Sequence, residues 1–137
     1  MYRSSINSHS GRRSLVLMLG GSAGLVAASV LPAPVGNAVN GKQVFAQCNG
    51  CHAVVPGQNR AGPSLAGIVG RPAASVPGYT YSAALKASRI VWIAPVLSAY
   101  LEAPQKAVAG TKMGYAGLAD PQKRADVIAY LKSKPAS

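Results

Sequence analysis

The stretch Cys48-Asn49-Gly50-Cys51-His52 decides how the rest of the chain is read. Two thiols three residues apart lie on the same side of a helical turn, and an imidazole follows directly. That spacing suits covalent attachment of a c-type haem, whose two vinyl groups share one edge, with His52 brought under the iron as proximal ligand. Three other readings compete. A thioredoxin-like redox pair needs a strand–helix setting that the following residues do not supply. A zinc site needs about four ligands, and residues 39–137 hold no Cys or His beyond this motif. A disulfide between Cys48 and Cys51 is chemically allowed in an oxidising compartment, yet it gives His52 no task.

Upstream of the motif the chain changes character. Arg3, Arg12 and Arg13 precede an uncharged stretch whose most apolar part is Leu15 to Leu31, broken by Pro32 and Pro34. A basic start, an apolar middle and small residues at the end describe a secretory signal peptide. Gly36-Asn37-Ala38 places small residues suitably for cleavage after Ala38, which divides the chain into a leader, 1–38, and one domain, 39–137. A retained membrane anchor is the competing reading, because the apolar stretch is near the lower limit of spanning length. Either way the domain is expected in the periplasm of a bacterium, where thiols can be coupled to a cofactor after export.

The domain that remains is small and sparse in core residues. Its 49% apolar composition over the whole chain argues against general disorder. Only Glu102, Asp120 and Asp126 carry carboxylates, which disfavours a calcium site or a two-carboxylate hydrolase. Helices are expected over Gly41–Cys48 with Asn40 as cap, over Tyr81–Ala87, over Pro95–Ala103, and after the Asp120-Pro121 cap, where Val127, Ile128 and Leu131 form an apolar stripe. Residues 53–80 are rich in Gly and Pro and read as loop; no strand signal survives. Ordering such loops costs about 1–2 kcal/mol per residue. One Trp and one Phe are a thin core to set against it, so a large planar apolar group is expected in the middle.

Iron has a second axial position. Removal of the leader leaves Met113 as the single methionine, in the polar, glycine-flanked run Gly110-Thr111-Lys112-Met113-Gly114. A lone methionine usually fills a gap in a core. This run is a poor place for packing and a suitable one for presenting a thioether. Binding opposite histidine, the thioether would complete the coordination sphere and raise the reduction potential.

These blocks together resemble a class I cytochrome c of mitochondrial-like layout, over nearly all of residues 40–134. Gly41 and Phe45 match the first helix of that family, and Cys48, Cys51 and His52 match its attachment motif. The resemblance implies an all-α cytochrome c fold, with short helices and long loops wrapped around one covalent haem c and its iron. It implies that the Pro63 carbonyl, in Gly62-Pro63, accepts a bond from the His52 ring. Arg71, Tyr81 and Trp92 fall where the family contacts a haem propionate. Tyr100 falls beside the methionine sulfur, and Thr111-Lys112-Met113 matches the methionine loop. Three positions depart from the family: Ala109 stands for the usual proline, Tyr115 for phenylalanine, and Leu85 for a buried asparagine.

Without Arg3, Arg12 and Arg13, residues 39–137 carry a net charge of +8. The basic groups are scattered and no nucleic-acid motif is present, so nucleic acid is not the expected partner. A basic surface instead steers an electron carrier toward acidic docking surfaces on redox proteins such as an oxidase, reductase or dehydrogenase. A monomeric electron shuttle is therefore expected, not an enzyme. Membrane contact is limited to docking or to a retained anchor. A haem peroxidase, the cytochrome subunit of a dehydrogenase complex and a gas sensor are the alternatives. The peroxidase needs an open sixth position at the iron.

Overall fold

The computed structural model describes residues 32–136. Most of the expected leader lies outside the described residues. Among those described there are five helices: α1 (Ala38–Phe45), α2 (Ala83–Ala87), α3 (Ala94–Glu102), α4 (Pro104–Ala107) and α5 (Pro121–Lys132). None of these is long and apolar enough to cross a membrane.

α1 begins earlier than the sequence pattern suggests. Its cap is Asn37, not Asn40: the Asn37 side-chain oxygen accepts from the N–H groups of Val39 and Asn40 at 2.9 and 3.1 Å. Asn40 sits inside the first turn. Assigning residues up to Ala38 to the leader hid this cap, since Ala38 is the first helical residue. The Asn37 N–H also donates to the buried Asp126 carboxylate on α5 at 2.7 Å. α1 and α5 cross closely because Gly41 has no side chain. A Cβ there would lie 1.9 Å from the Asp126 carbonyl oxygen. Just beyond the crossing, Phe45 and Tyr130 pack with ring centroids 5.4 Å apart.

α5 has the expected cap, with the Asp120 carboxylate accepting from Gln122 and Lys123 N–H and Pro121 at the first turn. α3 lies against it and buries Leu97, Tyr100 and Leu101. Arg124 on α5 is buried too, and donates to Ser98 Oγ and to the carbonyls of Leu118 and Ala119 while pairing with Glu102 at 3.4 Å. α2 starts two residues later than expected, capped by Ser82. α4, which the sequence reading omitted, follows α3 after the break at Ala103.

Residues 46–82 contain no named helix or strand, and the only ladder-like pairing among the described residues is an isolated bridge between Pro72 and Val91. Beside that bridge, the Trp92 N–H donates to the Arg71 carbonyl at 2.9 Å and Gly70 N–H to the Trp92 carbonyl at 3.0 Å. Two residues twenty-one positions apart are thus fixed side by side. The core runs from Phe45 through Leu97 and Leu101 to Val127, Ile128 and Leu131. On one side it borders open space.

Candidate cofactor site

That space is a cavity of about 480 Å³, apolar over much of its wall through Phe45, Leu65, Ile68, Leu97, Leu101 and Val127. The chain after α1 continues in turns: Cys48 N–H bonds the Phe45 carbonyl, and the N–H groups of Cys51 and His52 bond the Cys48 carbonyl at 3.1 and 3.0 Å. This coil brings both thiols and the imidazole to the same cavity wall. Burial pushes the Cys48 thiol above its ordinary value, and the nearby Cys51 adds to the effect.

His52 is held by its neighbours. Its Nδ1 lies 2.7 Å from the Pro63 carbonyl oxygen. A carbonyl only accepts, so Nδ1 carries the proton and Nε2 keeps its lone pair. Burial lowers the pKa of the ring, with the bond to Pro63 opposing, which favours the neutral imidazole. Gly62 makes this packing possible: a Cβ there would come within 2.3 Å of His52 Cε1 and 2.6 Å of Nδ1.

The methionine segment comes from the far part of the sequence. Met113 is half-buried, packs against the core cluster, and borders the same cavity. Its backbone N–H reaches Thr111 Oγ1 at 3.4 Å, and that hydroxyl pairs with the Tyr100 hydroxyl at 2.8 Å. Burial raises the Tyr100 pKa, so the phenol remains protonated. Gln105, which the sequence reading passed over, donates from one amide nitrogen to the carbonyls of Thr111 and Met113, each at 3.0 Å. Ala109 leaves the segment without a stiffening proline, and this pair of bonds holds it from α4 instead.

Arg71, Tyr81 and Trp92 complete the wall. The Arg71 guanidinium donates to the carbonyls of Ala66 and Ser64 at 2.6 and 2.9 Å, and burial lowers its pKa. Tyr81 accepts from the Val76 N–H through its hydroxyl, and its ring packs edge-on against Tyr79 at 4.8 Å. Trp92 packs on Tyr100 with centroids 4.9 Å apart. All ten residues singled out in the sequence therefore border one cavity: Cys48, Cys51, His52, Pro63, Arg71, Tyr81, Trp92, Tyr100, Thr111 and Met113. Leu85, standing where the resemblance implies asparagine, is on that wall too. Gln47, Tyr79 and Tyr115 also reach it. Tyr115 differs from the family's usual residue, a departure visible in the sequence. No periodicity or motif marked Gln47 or Gln105.

The donor set suits haem c. Two thiols on one turn provide for thioether links, a neutral imidazole presents a free Nε2, and an apolar hollow can bury a porphyrin face. The Gly62 cradle leaves room for the ring that would bind the iron.

Comparison with known proteins identifies the family. The cytochrome c family model matches residues 38–135. The chain is 55% identical over 102 residues to a cytochrome c2 of Rhodopila globiformis, covering 74% of this chain and 96% of that one. It is 44% identical over 111 residues to a cytochrome c of Sesamum indicum, covering 80% of this chain and all of the relative. The structure of cytochrome cH from Methylobacterium extorquens superposes with a TM-score of 0.69 at 44% identity, over 72% of this chain and all of that one. With motif, cavity and relatives in accord, the chain belongs to the cytochrome c family, whose members hold haem c covalently and act as electron carriers, not enzymes.

Proposed function

We propose that this protein is a periplasmic monohaem shuttle in which His52 and Met113 are the two axial ligands, and that the residues before Val35 act as its export leader, a boundary earlier than the cleavage after Ala38 expected from the sequence, because Asn37 caps α1. The observation that carries the ligand assignment is the 2.7 Å contact between His52 Nδ1 and the Pro63 carbonyl oxygen. The Nδ1–H of His52 is committed to the Pro63 carbonyl, leaving Nε2 for iron, while Met113, the only other soft donor outside the thiols among the described residues, borders the same hollow. The bound haem supplies a reversible one-electron couple. The chain's own residues do the rest. Cys48 and Cys51 anchor it, and the Pro63 bond orients the imidazole and keeps it basic. Arg71, Tyr81 and Trp92, which line the same cavity, would meet the propionates. Apolar walls exclude water, which lowers the reorganisation accompanying a change of charge. A pair of strong-field ligands leaves no position for peroxide or oxygen, which favours transfer over substrate activation.

The basic surface supports docking to acidic faces of donor and acceptor proteins, with the monomer as the working unit. Absorption spectroscopy of the ferric holoprotein tests the ligand set. The weak far-red band of an iron–thioether bond should be present and should vanish in Met113→Ala, with a fall in reduction potential. A wild-type spectrum of high-spin character would overturn the assignment.

A further inference from the structure

Tyr115 takes the place of the family's usual phenylalanine, and its hydroxyl has a partner. It donates to Gln47 Oε1 at 2.8 Å, joining positions 68 residues apart. Both side chains border the cavity. Gln47 immediately precedes Cys48, and Tyr115 lies two residues after Met113. The bond therefore ties the methionine segment to the chain just before the first attachment thiol.

The segment needs such a tie. It is bracketed by Gly110, at a φ of 87°, and by Gly114, where a Cβ would meet nothing within 4 Å. Ala109 adds no stiffness. Gln105 and the Lys112 ammonium, which donates to the Thr80 carbonyl at 3.1 Å, hold the part up to Met113. Beyond Gly114 the tie to α1's end is the Tyr115–Gln47 bond. We propose that this bond is a latch: it makes Tyr115 and Gln47 positioning residues that limit how often the Met113 sulfur leaves iron and lets a foreign ligand enter. The proposal rests on Met113 being that ligand.

The test uses ferric holoprotein and imidazole as the probe, with binding followed by stopped-flow absorbance. Tyr115→Phe restores the residue usual in the family and removes only the hydroxyl; Gln47→Leu removes the acceptor. A single net hydrogen bond contributes about 0.5–1.5 kcal/mol, so each variant should bind imidazole about two- to tenfold faster. The double variant should match the single ones, because the same bond is already broken. Denaturation should show a loss of stability no larger than this one bond supplies, separating its local effect from wider damage to the fold. Unchanged rates in both single variants, or effects that add in the double, would overturn the latch. If the wild-type far-red band is absent, the ligation reading itself falls, and the latch with it; band present and rates unmoved sinks the latch alone.

Discussion

Gly62→Ala is the sharpest single perturbation of the site. The added Cβ would stand 2.3 Å from His52 Cε1, 2.6 Å from Nδ1 and 2.8 Å from Nε2. The ring would have to retreat by about an ångström to reach an ordinary carbon contact. Its Nδ1 is 2.7 Å from the Pro63 oxygen, so such a retreat carries the bond out of hydrogen-bonding range. Overpacking of this kind costs about 1–3 kcal/mol, and the lost bond about 0.5–1.5 kcal/mol more. We expect guanidinium unfolding of the ferric holoprotein to report a loss of roughly 1.5–4.5 kcal/mol. The reduction potential should rise, since an imidazole without its carbonyl partner donates less charge to ferric iron. Gly50→Ala is the control: inside the same motif, its Cβ would meet nothing within 4 Å, and its stability should stay within about 0.5 kcal/mol of wild type. Equal stabilities and potentials for Gly62→Ala and wild type would refute the reasoning that the glycine exists to seat the imidazole.

Gly41→Ala should destabilise at or beyond the top of the roughly 1–3 kcal/mol overpacking range, because the atom it meets at 1.9 Å is backbone and cannot rotate away; thermal unfolding of the holoprotein checks this. Electron-transfer rates with acidic redox proteins should fall as ionic strength rises, in keeping with a +8 charge on residues 39–137, and salt-independent rates would remove the docking argument. Mass spectrometry of protein exported to the periplasm should find Val35 retained, because the Val35 carbonyl accepts from Gln122 and Asn37 caps α1. A product beginning at Val39 would lack that cap, worth about 1 kcal/mol, and would contradict this boundary.

The cofactor could be read from residue order because its attachment motif is local. Two thiols and an imidazole within five residues need only one turn of backbone, and that turn forms wherever the rest of the chain goes. The last helix was legible for the same reason: cap, proline and stripe all lie within it. The start of α1 was not, since Asn37 could be taken equally as the end of a leader, and its role depends on Asp126, 89 residues away. Likewise α4 is too short to carry a periodic pattern.

Residue order alone pointed to the chemical groups proposed here as ligands of the iron, because their types and local spacings suffice. Tertiary structure alone decided how those groups are held: which nitrogen of His52 is free, why Gly62 and Gly41 admit no side chain, and which amide or phenol ties down the methionine segment. Each of those facts is a distance between atoms far apart in the chain, and it comes into being only when packing brings them together.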